Sequence, residues 1–213
     1  MTASRIPIFP LPGVVLFPGT LLPLHIFEPR YRAMVADALK GDRVIGMAMI
    51  DGTRPLQEPV PVLPLGGAGR IVEQELLDDG RFNIILEGAW RFRILSEEPS
   101  DPYRVASVDL VPVRAFPDPP AEDAAVRRSR ALFAELHEAM ELPPLPSESM
   151  SPERLSGELA LRLRWSPGDL QSLLETDSLA ERFESITTRL AAWKEAADFL
   201  HPYRGGETNP LFN

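Results

Sequence analysis

Between Ile6 and Phe27 the chain is almost wholly apolar, yet the same stretch carries Pro7, Pro10, Pro12, Pro18 and Pro23 together with Gly13 and Gly19. Each proline lacks a backbone N–H and clashes with a preceding helical turn, so a helix here would be broken about every five residues. Broken backbone is costly in lipid, and a membrane anchor is excluded on that ground. The stretch predicts short buried strands at 6–11, 14–16 and 20–25, with Pro18-Gly19 as a turn. A helix is expected next. Glu28 is placed to cap it, Pro29 suits its first position, and Tyr31, Met34, Val35, Ala38 and Leu39 share one face before Gly41.

Further short apolar runs predict strands at 44–50, 69–77, 81–87, 89–96 and 103–113. Asp79-Gly80 between two of them suits a tight hairpin, and Gly66-Gly-Ala-Gly69 reads as a turn leading into a strand. So many short strands favour a closed or nearly closed barrel. The texture changes near residue 115. Residues 1–114 hold 12 basic and 14 acidic side chains, net −2, whereas the remainder holds 10 and 17, net −7, in Ala-, Leu-, Glu- and Arg-rich sequence at helical spacing. The Pro-rich stretch 115–121 reads as an irregular junction. Helices are predicted at 122–141, 152–164, 167–175 and 179–200, with Ser151-Pro152 and Ser166-Pro167 as starts and Ser178-Leu-Ala-Glu181 as a capping box. Leu179, Phe183, Ile186, Leu190, Trp193, Ala197 and Leu200 form a stripe suited to packing on other helices. The expected class is α+β: a β-rich unit at 1–114, a helical unit at 121–204 and a flexible tail at 205–213.

Composition narrows the chemistry. There is no cysteine, only His25, His137 and His201, and 20 arginines against two lysines, Lys40 and Lys194. Thiol nucleophiles and thiolate metal sites are therefore excluded. The chain has no Gly-Lys pair for a phosphate-binding loop and no Gly-x-Ser-x-Gly nucleophile turn, and His137-Glu138 lacks the second histidine of a zinc helix. Asp78-Asp79 and Glu97-Glu98 are neighbours on extended chain, whose side chains point to opposite faces, so paired acid–base work is not expected of them. Arg81-Phe82 and Trp90-Arg91-Phe92-Arg93 alternate cations with aromatics, as a nucleic-acid stacking platform would. A net charge of −9 opposes that reading.

The segment Ile6-Pro-Ile-Phe-Pro-Leu-Pro-Gly-Val-Val-Leu-Phe-Pro-Gly-Thr-Leu-Leu-Pro-Leu-His-Ile-Phe-Glu-Pro-Arg-Tyr-Arg32 resembles the opening of the Lon protease N-terminal domain family. The similarity continues through Asp42-Arg43, Ile45-Gly-Met47, Gly69-Arg-Ile71, Asp79-Gly-Arg81 and Gly88-Ala-Trp-Arg-Phe-Arg-Ile94, and resumes in Leu173-Leu-Glu-Thr-Asp177 and Glu181-Arg-Phe183. The resemblance implies a PUA-like barrel followed by a helical bundle. It also implies a stand-alone, cytoplasmic, non-enzymatic protein-binding module in protein quality control, without cofactor or metal and without the family's ATPase and peptidase domains. Its expected partners are unfolded or flexible polypeptides and a separate protease, not nucleic acid or membrane. Two alternatives are an RNA-binding PUA-like module and a hydrolase with an unrecognised site. The residues expected to meet a polypeptide are Phe17, Leu21, Leu22 and Phe27 near the first turns, and Leu142, Leu145 and Met150 in the loop between the first two helices of the second half.

Overall fold

Among the described residues five strands close a ring and a sixth extends it on the outside. The computed structural model describes residues 4–55, 58–98, 101–138 and 140–204, the side chains of 198 and 200–204 excepted. The tail 205–213 and the Leu200 side chain lie outside that description. In chain order the elements are β1 (Ser4–Leu11), β2 (Leu21–Ile26), α1 (Pro29–Ala38), β3 (Val44–Met49), β4 (Leu65–Leu76), β5 (Phe82–Glu98), β6 (Arg104–Val111), α2 (Pro119–His137), α3 (Pro152–Arg162), α4 (Pro167–Glu175) and α5 (Leu179–Arg204). β1 runs parallel to β3 and antiparallel to β6, and β3–β4, β4–β5 and β5–β6 complete the circuit. β2 pairs with the first part of β5 and ends the sheet there.

Three apolar clusters hold these elements. Ile6, Ile8, Val44, Ala48, Phe92 and Val108 fill the barrel. Tyr31, Met34 and Val35 of α1 pack with Phe9, Ile45 and Met47 on its outside, the Phe9 and Tyr31 rings lying 4.3 Å apart. The third cluster joins the helices to the barrel through Val15, Phe17, Met49 and Leu65. In it Phe183, Ile186 and Leu190 of the α5 stripe are fully buried, while Trp193 and Ala197 are half-buried.

The structure corrects several expectations. Residues 14–16 form no strand: Val15, Leu16 and Phe17 are buried in an irregular segment that crosses β4 and β5 at Gly67 and Gly88. A Cβ on Gly67 would overlap the Leu16 carbonyl, and one on Gly88 the Phe17 carbonyl. For the same reason Gly66-Gly-Ala-Gly69 is no turn but the interior of β4, where missing side chains admit neighbouring backbone. The strands expected at 81–87 and 89–96 are one, β5, because Gly88 is the crossing point and not a break. The junction 115–121 is partly regular. Pro119 and Pro120 occupy the first turn of α2, where no N–H is needed, and the Asp118 side chain accepts from the Ala121 N–H at 2.8 Å. α2 stops at His137, since Glu141 adopts φ 52° and the Leu142 N–H returns to the His137 carbonyl at 2.8 Å. Glu28 holds the N-cap position of α1 without capping; its carboxylate accepts instead from Arg30 Nε at 3.0 Å.

The other helix starts form as the serine–proline pairs predict. Ser151 Oγ accepts from the Arg154 N–H and Ser166 Oγ from the Asp169 N–H at 3.2 Å. Ser178 Oγ faces the Glu181 N–H at 3.4 Å, while the Glu181 carboxylate turns towards Arg114. Substituting Ser166→Ala removes one accepted bond from a nine-residue helix. It should lower stability by about 1 kcal/mol, and the thermal midpoint by roughly 2–4 °C, read by circular dichroism; Ser166→Asp should restore most of the loss.

The barrel and the helices are also joined by a buried guanidinium. Arg91, on β5, has a side chain with no exposure. It donates to the carbonyls of Leu174 at 2.6 Å, Thr176 at 3.3 Å and Pro112 at 2.6 Å, and to Asp177 Oδ1 at 2.9 Å. Arg182 of α5 reaches two of the same carbonyls, Thr176 at 2.9 Å and Leu174 at 3.1 Å. Burial, and then the neighbouring charge of Arg91, lowers the Arg182 pKa to about 10.

Candidate surface for a polypeptide

β2 is an edge strand with two faces of opposite character. Leu22, Leu24 and Ile26 turn inward onto the cluster beneath α1, whereas Leu21, Pro23, His25 and Phe27 turn outward. The Gly88 N–H donates to the Thr20 carbonyl at 2.9 Å, making that the first bonded pair between β5 and the approach to β2. By antiparallel alternation, Leu22, Leu24 and Ile26 then bond β5, while the backbone of Leu21, Pro23 and His25 faces the open edge. Proline is tolerated at such a position because no donor is required of it. Leu21 is 51% exposed and Phe27 60%, both large values for such side chains.

Across β5 and β4 the same outer face continues. Register places Pro23, Ile85 and Glu73 in one row and His25, Asn83 and Glu75 in the next. A bulge between Ile71 and Glu73 shifts β4 so that both glutamates fall opposite outward-facing residues of β5. The rows border a shallow concavity of about 480 Å³. A hydrogen-bonded chain fixes its floor: Arg81 donates to His25 Nε2 at 3.1 Å, His25 Nδ1 to Asn83 Oδ1 at 2.7 Å, and Asn83 Nδ2 to Glu75 Oε2 at 2.7 Å. Because Arg81 can only donate, Nε2 of His25 accepts and Nδ1 donates in this chain. Asp79 holds Arg81 at 2.6 Å, and the Arg81 backbone N–H, followed by its guanidinium, keeps the Asp79 carboxyl below the ordinary carboxylate range. The His25 ring lies 6.3 Å from that of Phe27 at an interplanar angle of 26°.

The seven residues expected to meet a polypeptide separate into three groups. Leu21 and Phe27 stand exposed on this face at the two ends of β2. Phe17 is fully buried at the barrel–helix junction, against the Cα of Gly157, and Leu142 is buried in the helical cluster, so neither can serve as surface. Leu22, Leu145 and Met150 are half-buried against the core. The loop at 142–150 thus turns its apolar side chains inward, because the helices leave a gap that Leu142 fills. Pro23, His25, Ile85, Asn83, Glu73 and Glu75 were not singled out from the sequence as surface. The period-two spacing Leu21, Pro23, His25, Phe27, out of phase with Leu22, Leu24, Ile26, was the available signal.

The arginines of the aromatic–cation runs and Arg104 on β6 form no open cationic face: Arg91 and Arg93 point the same way out of β5, but helices cover Arg91. Arg91 is buried, Arg104 is gripped by Glu97 and by the Val60 carbonyl at 2.7 Å, Arg81 is held by Asp79, and Arg93 stands exposed. Among the described residues no three His, Asp or Glu side chains are grouped to hold a metal ion, and no helix is long and apolar enough to cross a membrane.

Residues 5–192 match the family model for the ATP-dependent protease La (LON) substrate-binding domain. The chain is 27% identical to a Lon protease of Dictyoglomus thermophilum over 215 residues, covering 97% of this chain and 26% of that protein. It is 28% identical to Lon protease 2 of Myxococcus xanthus, covering 89% and 24%. The chain therefore spans about a quarter of the length of these curated relatives. Among solved structures, a Lon N-terminal domain protein from Xanthomonas campestris superposes with a TM-score of 0.60 at 25% identity, covering 89% of this chain and 98% of that one. The N-terminal domain of Mycobacterium avium complex Lon protease shares the fold, with a TM-score of 0.66 at 18% identity over 88% of this chain and 98% of that one.

Proposed function

The chain belongs to the Lon substrate-binding domain family, and from that premise we propose that it is a non-enzymatic module holding unfolded or flexible polypeptide on the outer face of β2, β5 and β4. The observation that carries this reading is the pair Leu21 and Phe27, half or more exposed on one face of an edge strand, with Pro23 and His25 between them. Large apolar side chains left exposed along one strand mark a contact site, since covering them releases hydration water. The contact supplies affinity without bond chemistry. In a quality-control role the module holds a damaged protein by a segment the native fold would hide, and a separate protease acts on what is held.

The test uses a reduced and alkylated, permanently unfolded protein carrying a fluorophore, titrated with this chain and followed by anisotropy. Leu21→Ser with Phe27→Ser should weaken binding tenfold or more, as each side chain loses about 1 kcal/mol of contact. The thermal midpoint should hold, because both positions are exposed. Leu110→Ser, at a 54% exposed leucine on β6, should leave affinity unchanged. Equal affinity for all three proteins would defeat the assignment of this face.

A further inference from the structure

The two long borders of this surface differ in chemistry, and the difference specifies a class of substrate. On the β2 side stand Leu21, Pro23, His25 and Phe27; on the β4 side stand Glu73 and Glu75, exposed and two residues apart. Among the described residues neither glutamate is in an ion pair, and Glu75 commits one carboxylate oxygen to Asn83 and keeps the other. Ile85 and Asn83 of β5 form the floor between the borders. Arg81 is paired with Asp79 at the hairpin end, and Arg43 donates to the Gln74 side chain between the two glutamates at 3.0 Å without an ion pair to either.

We propose that the segment recognised here is an extended polypeptide in which apolar residues alternate with lysine or arginine, lying along β5 with apolar side chains towards β2 and basic ones towards β4. The proposal rests on the binding reading above and names its substrate class. Its geometry is that of extended chain. Successive side chains point to opposite sides, so a strand lying flat over β5 sends every second residue to each border. Residues two apart in extended chain are about 6.6 Å apart, the repeat that Glu73 and Glu75 themselves follow on β4. The borders lie two strand spacings apart, roughly 9.5 Å, which side chains on either side of one peptide backbone can span. Charge is complementary at long range as well, since the whole chain carries −9.

Three labelled ten-residue peptides alternating leucine with lysine, glutamine or glutamate test the proposal, titrated against the full chain by anisotropy at low salt. The lysine peptide should bind about tenfold tighter than the glutamine peptide, and the glutamate peptide more weakly than either. Glu73→Gln with Glu75→Gln should bring the lysine peptide down to the affinity of the glutamine peptide. It should leave the glutamine peptide unchanged, since the amide that replaces the Glu75 carboxylate still offers Asn83 an acceptor. Glu138→Gln with Glu184→Gln, which alters net charge equally at the end of α2 and on α5, should leave the order and the spacing of affinities intact. A lysine preference that survives the first double substitution, or that the second erases equally, overturns the proposal. So does a lysine peptide that binds no better than the glutamine peptide while the unfolded protein is still held, in which case the broader reading stands. If neither peptides nor unfolded protein bind, the broader reading falls and takes this one with it.

Discussion

Replacing Arg91 with methionine should cost the fold about 2–4 kcal/mol, although the new side chain has similar length and suits a buried site. The loss follows from what is left behind. The Pro112 carbonyl, at 2.6 Å from the guanidinium, loses the donor that Arg91 supplies, and the Leu174 and Thr176 carbonyls keep only Arg182. Asp177 contributes little, since its side chain is 57% exposed and water can take over its hydrogen bond. Removing one of two adjacent buried cations returns part of the loss, because the Arg91 charge already pulls the Arg182 pKa down. Denaturant unfolding should show the cost directly, with a fall in thermal midpoint on the order of 10 °C. Arg91→Lys should recover little, because an ammonium cannot reach carbonyls on two sides at once. A double-mutant cycle with Arg182→Met sharpens the test. The two arginines share acceptors, so the double variant should lose more than the sum of the singles. A stability unchanged within about 0.5 kcal/mol in Arg91→Met would mean that guanidinium desolvation had cancelled its bonds.

That joint also shows where sequence reading stops. The alternation in Trp90-Arg-Phe-Arg93 reads as a half-buried barrel strand, and it is one: Phe92 points into the barrel and Arg93 outward. Arg91 lies where the α4–α5 turn covers the strand, and its partner Asp177 is 86 residues away. No local signal marks such a pairing. By contrast, strand and helix positions were legible wherever a residue's role is set by its near neighbours. Asp79-Gly80 forms the hairpin, with Gly80 at φ 78°, and the two serine–proline pairs begin helices. The same logic explains the surface. Leu21 and Phe27 were readable as apolar residues beside turns, but Phe17 looked equivalent to them, and only the packing of α3 over residues 14–18 buries it. The β4 border was invisible because a bulge sets which side Glu73 and Glu75 face.

Gly67→Ala should be the most damaging small substitution in the barrel, at about 3 kcal/mol or more, and should abolish polypeptide binding with it. The added Cβ would overlap the carbonyl oxygen of Leu16, a backbone atom in a segment buried from both sides. A flexible side chain could swing away, but this segment is pinned. The Gly19 N–H donates to the Gly88 carbonyl at 2.7 Å, and Thr20 Oγ1 donates to the Phe17 carbonyl at 2.8 Å. Relief requires either residues 14–20 to lift from the barrel or β4 to part from β3 near Met47, its partner in register. Lifting residues 14–20 carries Phe17 out of the helical cluster and displaces the start of β2, where Leu21 stands. The comparison is Gly52→Ala, a loop glycine whose added Cβ would meet nothing within 4 Å. There the change should stay within about 0.5 kcal/mol, because no atom is displaced. Urea unfolding of the two variants, with binding of the unfolded protein measured on whatever fraction of Gly67→Ala remains folded, separates the effects. A Gly67→Ala protein as stable as Gly52→Ala would mean that residues 14–20 do not lie against β4, and the surface built on β2 would lose its foundation.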